Sequence, residues 1–174
     1  MLRRETGPMF RIYCTEDVLA ETLYRFRRKH PQSAGEVVSN LRKLLIENMD
    51  VQVSSYDMSV SYDGGDPNDL HVHAAAIASR VDIVLTADQG FAEFTSNSSL
   101  PYSVYGCDDF FVLIDDSETQ AVQRVVVRQR EYWSQRAESG AIVKTLDAAL
   151  ADAGCPRFAS RVTQHLRALS GPDV

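Results

Sequence analysis

The segment DPNDLHVHAAAIASRVDIVLTADQGF, Asp66 to Phe91, restricts the fold of this chain more than any other stretch. Asp66 suits a helix N-cap, Pro67 the first helical position, and Asp69 the third, where a carboxylate completes a capping box. The helix that follows carries Val72, Ala75, Ala76 and Ile77, small and apolar enough to lie flat on a sheet. Ile83 to Leu85 reads as a short buried strand, with Thr86-Ala87-Asp88 just past its C-terminal end. In open α/β sheets, ligands bind along that edge. The unit therefore delivers two acids to one rim, Asp69 from a helix start and Asp88 from a strand end.

A chain of 174 residues holds one domain with a full core, or one with a small appendage. With 44% hydrophobic and 24% charged residues, disorder is not expected. No apolar run approaches the ~20 residues that span a bilayer. The N-terminal MLRRETG is basic without a hydrophobic stretch, so no secretory signal is expected. Cys14, Cys107 and Cys155 are odd in number and far apart, which suits reduced thiols of a cytoplasmic protein. The net charge of −6 is unevenly spread. Residues 1–47 carry nine basic and six acidic side chains, residues 48–120 one and thirteen, and residues 121–174 eight and five. Acids crowded in the middle third either spread over solvent or help to hold a cation.

Taken in order, Phe10 to Cys14 is expected to be a strand, and Thr15 the N-cap of a helix with Val18, Leu19, Leu23 and Phe26 on its apolar stripe. Arg25, Arg27, Arg28 and Lys29 crowd the last turns of that helix, where cations suit its dipole. Ser33 to Glu36 reads as a capping box for a second helix, with Val37, Val38, Leu41, Leu44 and Leu45 inward. A strand-and-loop region ending in Gly64-Gly65 leads to the central segment, and a polar loop leaves it toward a strand at Tyr102–Tyr105. Asp108-Asp109 open a short helix, and Ser117 to Gln120 reads as a capping box for a long one with Val122, Val125, Val126, Tyr132 and Trp133 on one side, ended by Gly140. Two closing helices, stopped by Gly154 and Gly171, complete the chain. Strands alternating with helices imply a three-layer, Rossmann-like α/β domain with a parallel sheet over residues 1–116, then a helical extension over 117–174.

Signatures of dinucleotide enzymes, P-loop enzymes, serine hydrolases and zincins (GxGxxG, GxxxxGK[ST], GxSxG, HExxH, paired CxxC) are absent. Carboxylates remain. Their oxygens are hard ligands suited to Mg²⁺ or Mn²⁺, ions that keep several waters and take further ligands from substrate phosphates. Acids gathered on one rim are what metal-assisted phosphodiester hydrolysis requires.

Four stretches, FRIYCTEDVLAE, the Asp66–Phe91 segment, YSVYGCDDFF and LDAALADAGCPRFASRV, resemble the PIN-domain ribonucleases. The closing stretch is similar to the longer VapC-type toxins, which have a helical C-terminal extension. The resemblance implies that Glu21, Asp69 and Asp88 are the catalytic acids and ligate Mg²⁺ or Mn²⁺, with Asp66 and Thr86 as accessory residues. It implies a metal-dependent endoribonuclease, the toxin of a type II toxin-antitoxin system, acting on RNA and restrained by a cognate antitoxin, with a homodimer as an open possibility. The family begins with a β-strand ending in an aspartate, whereas MLRRETGPM resembles the tail of the helix that follows it. The expectation is a misassigned start or a decayed gene. Loss of that strand would remove one metal ligand and leave buried backbone groups unpaired at roughly 1–3 kcal/mol each, against a total stability of about 5–15 kcal/mol. The alternative function is therefore a nuclease-dead PIN-like module that binds a protein partner or RNA, and a third is another phosphatase or nuclease on a similar sheet.

Each residue also has a purely structural role open to it. Asp69 can be a capping acid, Asp88 an Asx-turn residue before Gly90, and Glu21 a solvated helix residue bordering the apolar stripe. His71 and His73, two apart on a helix, face different ways and suit packing or hydrogen bonding. Arg25, Arg28 and Lys29 form either an RNA-backbone track or a solvated helix end. Tyr132 and Trp133 are expected in the core, and His30 and His165 on the surface.

Overall fold

The computed structural model describes residues 7–88, 90–91, 100–139 and 144–170. The start of the chain, most of the polar loop, Gly140 and Gly171 lie outside the described residues. The described elements run β1 (Tyr13–Thr15), α1 (Glu16–Lys29), α2 (Gly35–Asn48), β2 (Val51–Val53), α3 (Leu70–Ser79), β3 (Ile83–Leu85) and β4 (Ser103–Tyr105). Helices α4 (Cys107–Ser117), α5 (Thr119–Glu138), α6 (Leu146–Asp152) and α7 (Pro156–Ser170) follow. This is an α/β fold with short strands paired two by two. β1 and β2 are parallel, Tyr13 facing Val51 and Thr15 facing Val53. In the β3–β4 pair the Ser103 N–H donates to the Asp82 carbonyl and the Thr86 N–H to the Tyr105 carbonyl, so both strands ascend together, again the parallel sense.

Local chemistry sets the helix starts. Thr15 leaves the first strand in an extended conformation, and its Oγ1 accepts the Val18 N–H at 3.1 Å. Asp66 does the same for a short 3-10 turn, Pro67–Asp69, that leads into α3. The first strand begins three residues later than expected, at Tyr13, because Ile12 uses its N–H on the Asp50 carboxylate instead (2.8 Å). Two expected capping boxes do not form. α2 is preceded by Ala34 with no side-chain cap, so Ser33 is not its cap. Ser117 instead belongs to the last turn of α4, where its hydroxyl donates to the Leu113 carbonyl four residues back, leaving Glu118 ahead of α5. Gly154, at φ 83°, ends α6 as a left-handed stop.

The chain divides into two compact units, the first spanning Arg11–Val84 with Asp88–Val104 and the second the described parts of Met1–Phe10, Leu85–Ala87 and Tyr105–Val174. In the first, Ala76, Val84, Phe91 and Tyr102 form the core, with Val72 and Ile77 packed against it as the α3 pattern predicts. α2 departs from expectation. Val38, Leu41 and Leu45 are half-buried, but Val37 and Leu44 are exposed, at 47% and 56%, because no described element of their own unit covers that neighbouring stripe of the helix.

In the second unit, Val112, Val122, Val126, Phe158 and Val162 form the core, so α4 shares its interior with the helices after it. Asp108, at the start of α4, accepts the Arg157 and Phe158 N–H groups (3.1 and 2.8 Å) and so caps α7 from about fifty residues away. Two surface assignments reverse here. His165 is nearly buried, its Nε2 2.8 Å from the buried Asp115 carboxylate, which Arg161 also approaches at 3.5 Å. Tyr132, expected inside, is 45% exposed beneath the Arg136 guanidinium, which donates to its hydroxyl. The half-buried Trp133 donates to Gln129 one turn earlier. Among the described residues, no helix is long and apolar enough to cross a membrane.

Candidate functional site

Asp66, Asp69 and Asp88 come from the ends of short elements in the first unit, and Glu21 from the middle of α1. Asp66 is consumed locally, its Oδ1 accepting both the backbone and side-chain N–H groups of Asn68 at 2.9 and 2.8 Å. Asp69 sits at the junction of the 3-10 turn with α3, and its side chain makes no cap bond to the helix. The capping role open to this carboxylate is therefore not the one it plays. Asp88 does serve its turn, its Oδ1 accepting the N–H groups of Gly90 and Phe91 at 2.8 and 3.3 Å. Those bonds fix the direction of the carboxylate as the chain leaves β3.

Electrostatics ties these acids together. Burial pushes the Asp69 carboxyl above the ordinary carboxylate range, and the charges of Asp88, Asp66 and Glu21 push it further, with His71 pulling the other way. The Tyr62 phenol is raised too, first by burial and then by Asp69, Asp66 and Asp88. Acids from three separate segments thus act on one place.

Glu21 is half-exposed on α1, with Arg25 one turn on at 3.9 Å and the His71 Nε2 at 3.8 Å from its Oε1. His71 is fixed from the other side, its Nδ1 2.7 Å from the Asn68 carbonyl. A carbonyl only accepts, so Nδ1 carries the proton there. The Nε2 atom is buried and has no hydrogen-bond partner. His73, by contrast, is satisfied at both nitrogens, by the Tyr102 hydroxyl at 2.6 Å and the Ser61 carbonyl at 3.1 Å. Its buried ring is core structure, and burial lowers its pKa.

The remaining expected residues are more dispersed. Thr86 follows β3, its N–H bonded to Tyr105. Arg25 pairs with Glu21, Arg28 lies over the Tyr24 ring, and Arg27 ties down the following loop by donating to the Ser33 carbonyl at 2.6 Å. Lys29 is exposed at the end of α1.

The donors fit a divalent cation in their chemistry, since several carboxylates share one field and a buried imidazole nitrogen beside them is unsatisfied. Among the described residues, however, no three His, Cys, Asp or Glu side chains meet closely enough to hold an ion by themselves. Such a set suits an ion that takes one or two protein ligands and completes its shell from water and phosphate, as Mg²⁺ does.

Sequence reasoning passed over Tyr62. The signal was the YDGG run before Asp66, because a Cβ at Gly64 would collide with the Tyr62 ring, so the glycine lets backbone and ring close together beside the acids. It also set His71 aside, although the i−3 spacing to Asn68 is what fixes its ring.

Residues 8–90, which include Glu21, Asp66, Asp69, Thr86 and Asp88, match the family model described as PIN domain. The match supports a PIN-domain protein of a nuclease-type family, in keeping with the α/β fold. No curated protein and no solved structure matches the chain.

Proposed function

We propose that this protein is a metal-dependent endoribonuclease, with Glu21, Asp69 and Asp88 as the acids that hold Mg²⁺ or Mn²⁺ and Asp66 and Thr86 as accessory residues. The observation that carries this is the match of residues 8–90, which hold all five of these residues, to a PIN domain, and the raised Asp69 carboxyl beside acids of separate segments agrees with it. A bound divalent ion would activate water and offset the charge that builds on the scissile phosphate. The raised Asp69 carboxyl is suited to take the proton that the attacking water loses. Asp88, aimed by its bonds to Gly90 and Phe91, offers its carboxylate in a fixed direction. Arg25, Arg28 and Lys29 on α1 supply charge for the RNA backbone. The similarity of the closing stretch to VapC-type proteins supports a toxin role with a cognate antitoxin as partner.

The test is cleavage of structured RNA by purified protein with Mn²⁺, with Mg²⁺ and with a chelator. Divalent-dependent cleavage that falls roughly 10²-fold or more in Asp69→Asn and Asp88→Asn is expected. Cleavage that survives the chelator or either substitution would overturn the assignment. A second reading, a nuclease-dead module that binds RNA or protein, is favoured by the absence of a three-ligand cluster among the described residues. RNA binding without Mn²⁺-dependent cleavage would select it.

A further inference from the structure

The His71 Nε2 atom is buried without a hydrogen-bond partner, and it faces Glu21 rather than the core. Its other nitrogen lies 2.7 Å from the Asn68 carbonyl, which places a proton on Nδ1, so Nε2 is the nitrogen whose lone pair a metal ion can take. This is how a ligating histidine is usually set, one nitrogen donating to a backbone carbonyl and the other turned to the metal. The gap to the Glu21 Oε1 is 3.8 Å. That is too long for a hydrogen bond. It is shorter than twice a typical metal–ligand bond of about 2.1 Å, so one ion can touch both atoms. Asp69, two residues before His71, adds negative charge at the same place.

We propose that His71 is a nitrogen ligand of the divalent ion, shared with Glu21, and that it biases the site toward Mn²⁺ over Mg²⁺. This rests on the metal-dependent reading above and adds to it a ligand type that the acids do not provide. Mg²⁺ binds almost wholly through oxygen, whereas imidazole suits the first-row transition metals. With His71 and Glu21 as ligands, Asp69, Asp88, water and phosphate share the remaining positions, since no three described side chains meet closely enough to hold the ion alone.

Mn²⁺ binding to the intact protein, followed by electron paramagnetic resonance with nuclear-modulation detection, tests this without any assay of activity. The expected result is a nitrogen coupling to bound Mn²⁺ in the native protein, which takes the ¹⁵N pattern when the histidines are ¹⁵N-labelled. In His71→Gln the coupling should vanish and Mn²⁺ affinity drop roughly tenfold or more, with Mg²⁺ affinity changing less. The labelled native protein gives its answer even if the variant folds poorly. Bound Mn²⁺ without nitrogen coupling, or a coupling that persists in the variant, would overturn the role of His71 and leave the carboxylate reading standing. Failure to bind Mn²⁺ at all would overturn both.

Discussion

Asp69 illustrates how a part-buried acid among like charges costs the fold stability. Its carboxyl is raised by burial and then by neighbouring acids. As pH climbs through the ordinary carboxylate range near about 4, the unfolded chain gives up this proton before the folded one does, so folding stability falls across that window. Asp69→Asn should therefore melt higher than the native protein at pH 7 without divalent ions, and the two should converge below about pH 4. Thermal denaturation across that range checks this, and an Asn variant that melts lower at pH 7 would contradict it. His73 behaves in the opposite sense. Burial lowers its pKa, so as pH drops below about 6.5 the unfolded chain binds a proton that the folded one refuses, and stability declines with acid. Urea midpoints from pH 8 to 5 should show that decline, and His73→Gln should flatten it. The partner hydroxyl can be tested separately. The Tyr102 phenol, pushed up to about 12 mainly by burial, stays protonated and donates to the His73 Nδ1. Removing it in Tyr102→Phe leaves that nitrogen unsatisfied, at a cost of roughly 1–3 kcal/mol.

Helix α1 offers the cleanest test at the level of elements. Thr15→Ala removes the hydroxyl that accepts the Val18 N–H and should cost about 1 kcal/mol, or roughly 2–4 °C of Tm in a chain of this size. A loss well under half of that would show that the cap contributes little. The elements legible in the sequence were those whose cause is local. Thr15 before α1, Asp66-Pro67 before α3, the apolar β3 and Gly154 after α6 each carry their instruction within a few residues. Errors arose where the deciding partner lies far off or two local rules compete. Ser117 reads as a cap only if α4 has already ended, and its bond to Leu113 shows that it has not. His165 reads as a surface residue until Asp115, fifty residues earlier, is placed beside it. Asp66, Asp69 and Asp88 sit at element ends, which sequence marks well, whereas Glu21 comes from the middle of α1. The unsatisfied Nε2 of His71 depends on a side chain of α1, and no spacing rule announces that.

At the scale of the molecule, charge matters most. The middle third holds thirteen acids and one arginine within a chain of net charge −6. Like charges so arranged repel each other, and mobile salt screens them over about 10 Å at 0.1 M. Raising NaCl from about 20 to about 300 mM should therefore raise Tm at pH 7, and millimolar Mn²⁺ should raise it further. The Mn²⁺ increment should shrink in Glu21→Gln, and an increment unchanged there would argue that the ion binds elsewhere. In the second unit, the contact between Asp108 and the start of α7 has a bearing on the route to the native state. The last helix opens on Pro156, and its next two amides are held by a carboxylate delivered by α4. Its nucleation is thus templated, and deuterium uptake at Arg157 and Phe158 should report the opening of α4 as faithfully as the amides of α4 itself do.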